Sequence, residues 1–95
     1  MSPQAPSHEP ETVRADRIPP IEDLVSDLVA RMALAAHAYL TDEEQPADLQ
    51  SAEAAIDVAT AAFERIKERL RPQDRLAITQ LLTETRMTFV RKRGL

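Results

Sequence analysis

Apolar residues recur along this chain at steps of three and four, and no stretch alternates with the two-residue period of a strand. The clearest run is Leu49, Ala52, Ile56, Ala59, Phe63, Ile66 and Leu70, which keeps one seam of a helix turned toward a partner. Ile78, Leu81, Leu82, Thr85 and Phe89 repeat the pattern further on. Ile21, Leu24, Val25, Leu28, Met32, Ala36 and Tyr39 set it out earlier. These spacings predict helices over about 20–40, 47–70 and 72–92, with Pro46 and Pro72 placed where the second and third begin. Short connections favour antiparallel neighbours. The expected fold is all-α over residues 20–93: a three-helix antiparallel bundle, or a helical hairpin with a third helix added.

The charges fall where such helices want them. Glu22 and Asp23 open the first, Asp48 and Glu53 the second, and Asp74 the third. Lys67, Arg69 and Arg71 close the second helix, and Arg91, Lys92 and Arg93 the third. Acid at the start and base at the end both favour the helix dipole.

Each helix carries more apolar residues than one seam can hide. Ala30, Ala33, Leu34 and Ala38 lie beside or opposite the expected seam of the first helix, with His37 among them. Ala54, Val58 and Ala61 lie off the seam of the second, and Leu76, Met87 and Val90 off that of the third. High helix propensity accounts for the alanines but not for Leu34, Val58, Leu76, Met87 and Val90. The surplus predicts that these eleven residues meet another copy of the chain, a dimer in the first instance.

A length of 95 residues allows one small domain. Without cysteine there is neither a disulfide nor a thiolate metal site, a composition that fits a reducing, cytoplasmic setting. The opening "MSPQAPSHEPETVRADRIPP" holds five of the seven prolines and no apolar run, so residues 1–19 read as a disordered arm and not as a signal peptide.

Candidate chemistry is sparse. The apolar stretch from Met32 to Leu40 falls far short of the roughly 20 residues that span a bilayer. His37 has no second histidine beyond His8 in the arm, and it reads as a surface or interface residue. The lone glycine, Gly94, excludes a glycine-rich phosphate loop. Arg31, Arg65 and Arg86 fall beside or off the seams, so they do not compose the cationic pocket of a small helical mutase. No catalytic, cofactor or metal residue is assigned, and no enzymatic activity is expected. With a net charge of −4, bulk charge does not favour nucleic acid, but Arg86, Arg91, Lys92 and Arg93 at the end of the third helix keep that alternative in view.

Three stretches in order resemble a bacterial family of small proteins called domain of unknown function 1844. "LVARMALAAHAYL" (28–40) is similar to that family's opening apolar helix. "ADLQSAEAAID" (47–57) carries its Leu, Ala and Ile-Asp pattern at Leu49, Ala52, Ile56 and Asp57. "LRPQDRLAITQLLTETRMTFV" (70–90) is similar to its closing helix, through Leu81, Leu82, Arg86, Met87, Phe89 and Val90. The first helix here ends in Thr41 and "DEEQP" where the family uses a glycine and a longer turn, and Arg71 stands where it prefers a Thr-type cap. The resemblance implies a small cytoplasmic helical protein and supplies no activity or catalytic residue. Together these readings lead to an expected interaction or scaffold module that self-associates and can take a further, unidentified protein partner.

Overall fold

The structure, a computed structural model, describes residues 18–94. Residues 1–17, most of the expected arm, lie outside the described residues. Among the described residues the regular structure is entirely helical: α1 (Ile21–Thr41), α2 (Leu49–Ile66), a 3₁₀ turn (Lys67–Arg69) and α3 (Pro72–Arg93).

Each boundary has a local cause. The carbonyl of Pro20 accepts the amides of Asp23 and Leu24 at the start of α1. Asp48 caps α2 by accepting from the Ser51 amide at 3.0 Å and the Ser51 hydroxyl at 2.8 Å. Between the two helices, the Asp48 amide donates to the Tyr39 carbonyl and closes the turn. Helix α2 was expected to run to Leu70, but its last turn tightens into the 3₁₀ form after Ile66. Pro72 pushes Arg71 before it to extended backbone (ψ 151°), and Leu70 (ψ 152°) is already extended, so the helix cannot continue to join α3.

The core contacts fix the topology. Ala36 and Leu40, late in α1, pack on Ala52, Ala55 and Ile56, early in α2. Val29, earlier in α1, packs with Ala59 and Phe63. α2 therefore runs antiparallel to α1. Phe89 joins the first cluster, whereas Leu82 and Ile78 join the second, so α3 turns back again and lies across both. The result is an up-down-up bundle. Thr85, buried within it, donates its hydroxyl to the Leu81 carbonyl at 2.8 Å, so no polar group is left unpaired there.

The seams expected for α2 and α3 are the ones that pack inward, with Ala55 added. In α1 the buried stripe is turned by about one residue from the expected one. Val29, Ala33, Ala36 and Leu40 are buried, while Ile21, Leu24, Leu28 and Tyr39 are exposed. This corrects Ala33 as well, assigned above to an oligomer interface: it is 2% exposed and belongs to the bundle's own interior. The cause is steric. In the α1–α2 contact Ala36, Ala52, Ala55 and Ala59 leave room for Val29, Leu40, Ile56 and Phe63, which are buried in the same two clusters. The stripe through Val29 and Ala33 also serves α3, which no stripe through Leu24 and Leu28 can reach.

Candidate functional site

The apolar residues expected at an interface do not converge. They divide among three faces. Leu34 and His37 border a groove between α1 and α3, in company with Glu84, Thr85 and Thr88. Ala30 and Ala38 are exposed on the same outer half of α1. Leu76, Met87 and Val90 lie along the outer surface of α3, where Val90 borders a cleft shared with Glu53, Asp57 and Arg86. Ala54 and Val58 lie on the side of α2 that adjoins α1, and Ala61 is exposed one step further round.

Only the last of these faces gains large neighbours. Ala54 and Val58 line a groove of about 310 Å³ with Met32, Ala35 and Tyr39 of α1. Turning the α1 stripe brings Ile21, Leu24 and Leu28 to the same flank of that helix, at helical spacings of three, four and seven. Ile21, Leu24, Leu28, Tyr39 and Val58 are each between 37% and 48% exposed. They compose a ridge and groove along the α1–α2 pair on the side away from α3. Four of these five were expected in the core. Periodicity alone does not find them, since Ile21, Leu24, Leu28 and Tyr39 keep helical spacing as well as Val29, Ala33, Ala36 and Leu40 do.

The basic end of α3 is equally scattered. Arg91, Lys92 and Arg93 point about 100° apart in turn around the helix. Arg91 donates to the Thr88 hydroxyl at 3.2 Å, and the Arg93 guanidinium lies 5.3 Å from the Phe89 ring centre. Arg86, two turns earlier and on the flank of Arg93, donates to the Thr60 hydroxyl of α2. Four cations so disposed offer no single track for a phosphate backbone.

A polar groove unmarked in the sequence lies between the end of α2 and the start of α3, about 330 Å³ in volume. Lys67, Arg75 and Arg86 border it above a floor of Phe63 and Leu82. Its cations are already engaged: Lys67 with Glu64 at 2.7 Å, and Arg75 with Glu68 and the Lys67 carbonyl, both at 3.5 Å. Among the described residues no group of three or more His, Asp or Glu is placed to hold a metal ion, and no helix is long and apolar enough to cross a membrane. The Asp48 carboxyl is held below its ordinary value by the Ser51 amide first and the Ser51 hydroxyl second, a consequence of capping and not of catalysis.

Fold and surface together define a small all-α, three-helix module whose most developed external feature is apolar. Comparison with family models, with curated proteins and with solved structures finds no match to this chain.

Proposed function

We propose that this chain is a non-enzymatic helical module that acts by self-association, its α1–α2 face packing on the same face of a second copy. One observation carries the reading. Ile21, Leu24, Leu28, Tyr39 and Val58 line one continuous side of the tightest helix pair, all partly exposed. Contiguous apolar surface of this kind marks an interaction site in small proteins. A scaffold or interaction role is the reading that fits assembly of this kind. Cytoplasmic residence and kinship with the domain of unknown function 1844 family belong to the same proposal. Their support is the cysteine-free composition and the order of the three helix motifs.

Sedimentation over a hundredfold range of concentration tests the central point. The wild-type chain is expected to pass from monomer to dimer. Val58→Glu, which puts a charge into the groove, is expected to hold the chain monomeric with its helicity unchanged. Leu34→Glu and His37→Ala, on the α1–α3 side, are expected to leave the dimer intact. A wild-type mass fixed at one chain throughout would overturn the proposal.

A further inference from the structure

The α1–α2 face carries Ile21, Leu24, Leu28, Tyr39 and Val58, with Arg31 exposed on the same flank of α1, and its two ends differ in charge. From Met32 to Glu64 the chain contains seven acidic residues and no lysine or arginine. Asp42, Glu43, Glu44 and Asp48 fall together in the turn that joins α1 to α2, and all four are exposed. Asp42 and Asp48 border the hollow beside Tyr39, at the limit of the apolar groove. Over the next eleven residues, Arg65 to Arg75, the balance reverses to five cations and two acids.

Not all of those cations bear on this face. Lys67 and Arg75 turn into the polar groove against α3, where Glu64 and Glu68 meet them, and Arg71 pairs with Asp74 at 3.2 Å. Arg65 and Arg69 remain on the α1 side of α2, both exposed, with Glu22 reaching Arg69 at 3.5 Å. Among the described residues Arg65 is therefore the one cation at this end of the flank with no acid on it, beside the Arg69–Glu22 pair and near the exposed Asp27 of α1, whereas the opposite turn is strongly negative. The length of α2 keeps the two ends about 27 Å apart, which is roughly three Debye lengths at physiological salt. Within one copy they cannot neutralise each other.

We infer that two copies pair antiparallel through this face, so that the acidic turn of each lies over the Arg65–Arg69 end of the other. This rests on the self-association proposed above and adds its orientation. An isologous two-fold contact places every residue against its counterpart's surroundings. In the antiparallel sense that sets acid on base at both ends and Val58 on apolar surface at the centre. A parallel pair sets acid on acid at one end and base on base at the other, which is disfavoured.

Charge reversal in two variants tests the orientation. The first carries Arg65→Glu and Arg69→Glu; the second carries Asp42→Lys and Glu43→Lys. All four positions are exposed, so circular dichroism is expected to show wild-type helicity in both. Each variant alone is expected to associate at least tenfold more weakly than wild type by sedimentation equilibrium. Mixed one to one, they restore the dimer, because each reversed end then meets its opposite. Raising the salt to 1 M weakens the wild-type pair and narrows the gap to the variants. Should both variants dimerise alone as tightly as wild type while Val58→Glu stays monomeric, self-association stands and the antiparallel orientation fails. A wild-type chain that never dimerises removes both proposals. The face would then serve a different occupant, such as the segment before residue 18 or an unrelated protein.

Discussion

At the scale of single residues, Ala33 and Leu34 stand side by side in the chain and on opposite terms with solvent. Ala33 is 2% exposed and Leu34 is 70% exposed. A carboxylate at the first position has no partner inside the bundle, whereas at the second it extends into water. Ala33→Glu is therefore expected to lower the unfolding free energy by roughly 2 kcal/mol or more, and Leu34→Glu to change it by less than about 0.5 kcal/mol. Urea denaturation of the two variants, at a concentration where both are monomeric, checks this directly. Asp48 offers a second residue-scale outcome. Its folded pKa is depressed, so the stabilisation it supplies is complete above its ordinary value of 3.8 and is lost as pH falls through the lower folded value. Asp48→Ala is expected to melt below wild type at neutral pH. The difference should shrink once the acid range protonates the wild-type cap, and a gap independent of pH would show that the carboxylate is not the cap's source of stability.

At the scale of elements, the sequence was most informative where apolar and polar residues are cleanly separated. In α2 only one stripe is rich in large apolar residues, Ile56, Phe63 and Ile66, and that stripe packs inward. α3 is less clear-cut, since Leu76, Met87 and Val90 form a second apolar stripe, yet Ile78, Leu82 and Phe89 keep the helical step and are the ones that pack inward. α1 is different because it is apolar on most of its circumference. A stripe through Leu24, Leu28 and Tyr39 satisfies the helical period as well as one through Val29, Ala33 and Leu40. Periodicity alone cannot decide between them. What decides is the partner: the stripe through Val29, Ala33 and Leu40 meets α2 and α3 at once. The end of α2 was misplaced for a related reason, since the period continues to Leu70 while the backbone before Pro72 does not. The close α1–α2 approach gives its own test. Ala59 is fully buried against Val29 and Phe63, and Ala61 is exposed. Ala59→Leu is expected to force the helices apart at a cost of about 1–3 kcal/mol, and Ala61→Leu to be close to neutral in denaturant titrations.

At the scale of the whole molecule, the distribution of large side chains connects stability with assembly. Among the described residues six large apolar side chains are buried: Val29, Leu40, Ile56, Phe63, Ile66 and Leu82. Ten others among the described residues are exposed, and Val25, Met32, Leu49, Leu70, Ile78 and Phe89 are half-buried against the core. The remainder of the core is alanine, which brings helices together but removes little surface from solvent. A domain of this size has a modest hydrophobic contribution to begin with, and covering the α1–α2 face, as proposed above, would increase it. Folding and pairing are then linked, and melting temperature should depend on protein concentration. For unfolding coupled to dissociation of a dimer, each tenfold rise in concentration is worth about 1.4 kcal/mol per dimer, or roughly 4 °C in Tm for two domains of this length together. Wild type is expected to show that slope in calorimetry between micromolar and millimolar concentrations. Val58→Glu is expected to melt lower and at the same temperature throughout. Equal, flat dependences for both proteins would mean that the exposed ridge adds nothing to the fold, and that the apolar surface of α1 serves some purpose other than joining two copies.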